Sequence, residues 1–214
     1  MKIRTRIVKI KLSVLLIFCS SLFSSVYSQT FMHSVGGTIS VLGSKGEILT
    51  TDFLGIPYYK SYNFIMEAVA LTYFPRLNFE TGNKSSFSVG IPLSLGIGAA
   101  SDINKENSGV YFSYDLPVIA DFNIGLGATR ENEKRFGYFL GAGFGYGHVS
   151  LALTSGSEKI NSYGPIGHGG VRFKIGSIDS NRGFGKDIVI GLFYKPRLDK
   201  YKFKTFGVQV LTDL

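Results

Sequence analysis

Residues 110–125, VYFSYDLPVIADFNIG, alternate along their whole length. The even positions are Val110, Phe112, Tyr114, Leu116, Val118, Ala120, Phe122 and Ile124, all apolar, while the odd positions include Ser113, Asp115, Asp121 and Asn123. A period of two places successive side chains on opposite faces of a β-strand. One face of this strand suits an apolar medium, and the other needs water or polar partners.

The same pattern extends to both sides. Over 86–99, Phe87, Val89, Ile91, Leu93, Leu95 and Ile97 oppose Ser86, Ser88, Gly90, Pro92, Ser94, Gly96 and Gly98. Over 136–148, Phe136, Tyr138, Leu140, Ala142, Phe144 and Tyr146 oppose a face rich in glycine. Weaker runs lie at 35–42, 63–75, 163–176, 187–195 and 203–214. In 163–176, Val171, Phe173 and Ile175 oppose His168, Arg172 and Lys174; in 203–214, Phe206, Val208, Val210 and Leu214 oppose Thr205, Gly207 and Gln209. The run 63–75 is expected to turn Phe64, Met66, Ala68, Ala70 and Phe74 outward, because its other face carries Glu67.

Those runs number eight, and the sequence between them is polar or rich in glycine. Charged residues make up only 18% of the chain, yet beyond residue 28 no segment is apolar for about 18 residues, as a spanning helix would need. Strands can cross a bilayer only in a closed barrel, because an open sheet edge leaves backbone groups unsatisfied in hydrocarbon. About ten tilted residues cover the roughly 25 Å lipid-facing band of such a barrel. The expected fold is therefore all-β: an eight-stranded antiparallel up-and-down transmembrane β-barrel. With both termini periplasmic, the outer connectors would be 43–62, 100–108, 150–162 and 196–202. The inner ones would be 76–84, 126–135 and 177–186.

The N-terminus reads as an export leader. Lys2, Arg4, Arg6, Lys9 and Lys11 precede a short apolar stretch, LSVLLIFC at 12–19, and Val26-Tyr27-Ser28 ends in a residue pattern that a signal peptidase accepts. The expected division is a cleaved signal peptide at 1–28 and a barrel at 29–214. The five leader cations account for much of the formal charge of +8, which falls to +3 without them, so the high charge is no argument for nucleic-acid binding. The single cysteine, Cys19, follows Phe18, whereas a lipidation site wants a small residue there; the mature part then has no disulfide and no thiolate metal site.

The leader, the alternating runs and short pieces such as Tyr73-Phe74-Pro75-Arg76, Ser88-Val89-Gly90-Ile91-Pro92-Leu93 and Phe136-Gly137-Tyr138-Phe139-Leu140-Gly141-Ala142-Gly143 resemble the small outer-membrane β-barrel domain family, of OmpA/OmpX-like barrel shape. The resemblance covers essentially the whole mature chain. It implies a porin-like wall in the outer membrane of a Gram-negative envelope. The last strand is similar to the signal read by the barrel-assembly machinery, although Thr212 and the final Leu214 depart from it. The resemblance implies location and no single activity.

Eight strands leave a lumen just wide enough for side chains to fill. Glu67, Asp115, Asp121, Asn123, Arg172, Lys174 and Gln209 are therefore expected to form an internal polar network, with no continuous solute pore, and the barrel is expected to be a monomer. A basic, aromatic-interleaved stretch, YKPRLDKYKFKTF at 194–206, offers Lys195, Arg197, Lys200, Lys202 and Lys204 to lipopolysaccharide phosphates. His148, Ser150 and Glu158 weakly resemble the nucleophile–base pair and acid of lipid A deacylase barrels, in which the His activates the Ser for attack on an ester. His-x-Ser is a short and common string, so a rim histidine is the preferred reading. No metal-ligand spacing and no nucleotide-binding loop is found, and no cofactor is expected. The function expected is a non-enzymatic structural or surface-interaction role; the alternatives are a lipid A esterase using His148 and Ser150, and a soluble periplasmic barrel that binds an apolar ligand inside.

Overall fold

The computed structural model describes residues 29–51, 54–102, 108–129, 132, 134–153, 156–175, 187–198 and 204–214. The expected leader lies outside them. Among the described residues there are nine strands and no helix: β1 (Gln29–Thr51), β2 (Pro57–Gly82), β3 (Ser85–Gly90), β4 (Leu93–Asp102), β5 (Ser108–Gly125), β6 (Phe136–Leu153), β7 (Gly156–Lys174), β8 (Asp187–Pro196) and β9 (Lys204–Asp213).

The strands pair antiparallel with their sequence neighbours, and β1 pairs with both β2 and β9, which closes the ring. β3 and β4 are one barrel strand interrupted at Ile91-Pro92. Both lie between β2 and β5, and the register against β2 is the same on either side, Arg76 opposite Gly90 and Tyr73 opposite Leu93. Pro92 has no N–H to give to a ladder, while Ile91 N still donates to Pro75 O at 3.0 Å. The barrel therefore has eight walls of strand, the expected architecture.

Alternation decides the faces. Leu140 (74% exposed), Ile97, Val118, Phe122, Leu192 and Val210 lie on the outside, and Asp121, Asn123, Arg172 and Gln209 are buried inside. On β2 the expected parity is reversed. Met66, Ala68 and Phe74 point into the lumen, while Ile65, Val69, Leu71, Tyr73 and Leu77 are exposed on the outer wall. Glu67 is thus on the outer face and not in the interior network. The apolar residues on that face outweigh one acid, and Glu67 sits only three residues from Phe64, where β2 parts from β4 at the rim.

Several expected connectors are strand. β1 and β2 pair on to Thr51 opposite Pro57, although β1 leaves β9 at Gly43 and β2 leaves β4 at Phe64. A two-stranded ribbon therefore projects from the barrel where a loop at 43–62 was expected. β6 and β7 likewise pair up to Leu153 opposite Gly156. β2 continues through Arg76 to Gly82, so Arg76 is a strand residue.

At the other end, near the termini, the β5–β6 turn tucks under the barrel. Gly125 and Gly127 have φ of 79° and 74°, a region costly for residues with a Cβ. They bring Leu126, Ala128 and Thr129 into burial. Asn78 Nδ2 donates to Gly127 O at 3.1 Å and holds the turn beneath the lumen.

Candidate functional site

Three polar groups occupy the interior, one above another. Nearest the termini, Arg76 on β2 donates from Nη2 to Asp213 Oδ2 on β9 at 2.9 Å and from Nη1 to Ser34 Oγ on β1 at 2.7 Å. Ser34 also donates to Asp213. Arg172 on β7 reaches the same carboxylate at 3.6 Å, donates to Asn123 Oδ1 at 2.8 Å, and lies 4.7 Å over the Phe139 ring. Asn123 Nδ2 in turn donates to Ser88 Oγ at 3.0 Å. Both guanidiniums are 1% exposed. A charge so placed is tolerated only when paired and hydrogen-bonded.

In the middle, His168 Nδ1 lies 3.1 Å from Asp121 Oδ1, and its ring is flanked by Phe139 at 4.8 Å and Phe74 at 6.0 Å. Thr38, Thr72 and Ser94 form a hydroxyl chain across β1, β2 and β4 with steps of 2.6 and 2.8 Å. Gln209 is buried nearby.

Toward the projecting hairpins, Asp115 on β5 pairs with Lys195 on β8 and with Arg197 at 3.4 Å. Arg197 Nη1 also donates to Ser162 O at 3.3 Å. A cavity of about 60 Å³ touches this group, enough for a few waters. Beyond it an apolar cluster of Leu42, Met66, Ala68, Ala100, Tyr111, Val149, Leu151 and Ile160 fills the barrel mouth.

Of the residues expected inside, Asp115, Asp121, Asn123 and Arg172 make the interior contacts just described, Gln209 is buried beside them with its Oε1 unpaired, and Lys174 is half-buried opposite Asp187 at the terminal end. Glu67 is excluded by its face. The basic stretch also needs correction. Lys195 and Arg197 point inward to Asp115, so two of the five cations assigned to lipid phosphates are spent on an internal ion pair. The physical reason is parity: Lys195 shares the inward face of β8 with Val189, Gly191 and Phe193. Lys204 is exposed at the start of β9, and Lys200 and Lys202 lie outside the described residues.

Arg76, Asp213 and Ser34 were missed. Arg76 followed Pro75 and read as the beginning of a turn. Ser34 and Asp213 continue the inward parity of Gly36-x-Thr38 and Gly207-x-Gln209, a signal present in the sequence.

His148 and Ser150 lie on the outer face of β6, both half-buried. The His148 ring partner is an amide: Nδ1 lies 2.6 Å from Asn161 Oδ1, and Tyr114 stacks on the ring at 5.1 Å. Ser150 is opposite Lys159 in the ladder and Glu158 is opposite Leu151. Among the described residues no three His, Cys, Asp or Glu side chains come together as a metal site.

Fold and interior define a class of protein: a closed eight-stranded antiparallel β-barrel with an apolar outer wall and an ion-paired, side-chain-filled lumen. Among solved structures, the chain is similar to Ail, the attachment invasion locus protein of Yersinia pestis, with 14% identity, a TM-score of 0.45, and coverage of 87% of this chain and 98% of that one. It is similar to Neisserial surface protein A, with 12% identity, a TM-score of 0.45, and coverage of 87% and 98%. It is also similar to the outer membrane protein OprG from Pseudomonas aeruginosa, with 8% identity, a TM-score of 0.44, and coverage of 87% and 97%. No protein-family model and no curated protein sequence matches the chain.

Proposed function

We propose that this chain is a non-enzymatic outer-membrane β-barrel protein of the Gram-negative envelope, exported through a cleaved leader and acting as a structural or surface-interaction element. One observation carries the reading: the barrel is inside out relative to a water-soluble protein. Large apolar side chains ring its outer wall while arginine, aspartate and asparagine are buried at its centre. Exposed apolar area of that extent is a liability in water and a requirement in lipid. A soluble ligand-binding barrel would have the opposite arrangement.

The filled lumen supports a role outside the bore. The β5–β6 turn lies under one end, an apolar cluster fills the other, and the cavity between is about 60 Å³. The surfaces left for interaction are the projecting ribbon, with the rim around it, and the outer wall. Lys204 supplies a rim cation for lipopolysaccharide phosphates, with Lys200 and Lys202 close to it in sequence. The barrel-assembly machinery would insert the chain, recognising β9.

Fractionation tests the proposal. The protein should sediment with outer membranes, need detergent for extraction, begin at Gln29 after export, and migrate differently on gels before and after boiling. Recovery in the soluble periplasmic fraction without detergent would overturn it.

A further inference from the structure

Ladder register aligns rows of outward side chains across β5, β6 and β7. Moving from mid-barrel toward the hairpins, the rows are Val118–Phe144–Pro165, Leu116–Tyr146–Tyr163, Tyr114–His148–Asn161 and Phe112–Ser150–Lys159. Along β6 and β7 the rows pass from apolar, through aromatic, to polar and cationic, while β5 keeps the apolar Phe112 in the fourth row. In a lipid-embedded barrel this is the gradient from acyl chains to head groups.

The third row is built for a ligand that both donates and accepts hydrogen bonds. Asn161 Oδ1 accepts from Tyr146 Oη at 3.0 Å and from His148 Nδ1 at 2.6 Å. The contact needs the proton on Nδ1, and in the neutral ring this leaves Nε2 as an acceptor. It also leaves both Nδ2 hydrogens of Asn161 without a partner among the described residues, on an exposed side chain. Tyr114 stacks against His148 with 22° between the rings and fixes its plane. Tyr163, 50% exposed, offers a flat apolar face one row below, beside Phe144 at 6.4 Å. Lys159, two residues from Asn161 on the same face, is exposed one row above.

From this arrangement we infer a binding site for the phosphorylated sugar head group of an outer-leaflet glycolipid. Sugar hydroxyls bridge Asn161 Nδ2 and His148 Nε2, the sugar ring lies over Tyr163, and a phosphate meets Lys159. The site rests on the membrane reading above.

The test uses the folded full-length mature protein in lipid nanodiscs, with three probes: a bis-phosphorylated glucosamine-disaccharide lipid, its dephosphorylated form, and phosphatidylglycerol. Binding is read by native mass spectrometry, and boiled and unboiled gel migration confirms that each variant is folded. Asn161→Asp keeps the acceptors for His148 and Tyr146 but removes the Nδ2 donors. It should weaken both glycolipids about tenfold, the scale set by one or two hydrogen bonds. Lys159→Ala should weaken the phosphorylated form alone. Equal binding of phosphatidylglycerol with equal sensitivity to both variants would overturn the sugar site, as would glycolipid binding that neither variant changes. If the protein needs no detergent, the membrane reading itself fails; if it needs detergent and is heat-modifiable but the glycolipids are indifferent to these variants, only the head-group site fails.

Discussion

Arg76 and Asp213 lie 137 residues apart in the chain and form a buried ion pair of 2.9 Å across the barrel interior. Asp213 is also within 3.6 Å of Arg172, so one carboxylate on the final strand answers two guanidiniums. The contact joins β2, β7 and β9 and exists only once β9 has closed on β1. Asp213→Ala is expected to take the nearest carboxylate from both arginines and to cost about 3–5 kcal/mol. The urea midpoint for unfolding in detergent measures this; a change within about 0.5 kcal/mol would show that the pairing contributes nothing.

Asp115 plays the same part near the hairpin end, between Lys195 and Arg197. Removing the shared acid takes the carboxylate from both Lys195 and Arg197, whereas Lys195→Met leaves Asp115 still paired with Arg197. Asp115→Ala should therefore destabilise by about 3–5 kcal/mol, and Lys195→Met by about 1 kcal/mol. Reversal of that order in the same unfolding assay would refute the shared-acid arrangement.

The outer wall makes its own prediction. Leu140 is the most exposed large apolar side chain on β6. In lipid, Leu140→Arg should cost about 2–4 kcal/mol if the position is near the midplane. In water the same change would be nearly neutral. Glu67→Leu, on the same wall but at the rim, should leave stability unchanged or raise it. Folding into liposomes at graded urea concentrations distinguishes the two cases.

Gly207 faces inward beside Phe193, and a Cβ there would overlap the phenyl ring. Gly207→Val should force that ring from its place and cost about 1–3 kcal/mol. Pairing it with Phe193→Ala should recover part of the loss, a coupling measurable in a double-mutant cycle.

Ser150→Ala should leave lipid A acylation unchanged, since Ser150 makes no hydrogen bond to His148 among the described residues and the ring's Nδ1 is held by the Asn161 amide, not by a carboxylate. Mass spectrometry of extracted lipid A reads the outcome directly. A loss of deacylation on this substitution would restore the esterase alternative.

Much of this molecule is legible in one dimension. On 110–125 and 86–99, every large apolar residue at the alternate positions read as outward does lie outward, because a strand has only two faces and the polar residues occupy the other one. On β2 the acid Glu67 points to the wrong face, against Ile65, Val69 and Leu71. A single rim carboxylate reaches water, whereas three apolar side chains set the face. The projecting ribbon has no signature in the sequence, because residues 43–62 mix turn-forming and polar residues and hairpin pairing beyond the barrel needs no apolar alternation.

Alternation by itself thus determined strand, face and the chemistry of wall and lumen, since these depend on neighbours two residues apart. Closure decided the rest. Which cation meets which acid, and that Arg76 finds Asp213 while Lys195 turns inward to Asp115, follows from how far each strand is displaced along the next around the ring. That displacement is summed over eight pairings, and no local stretch of sequence contains it.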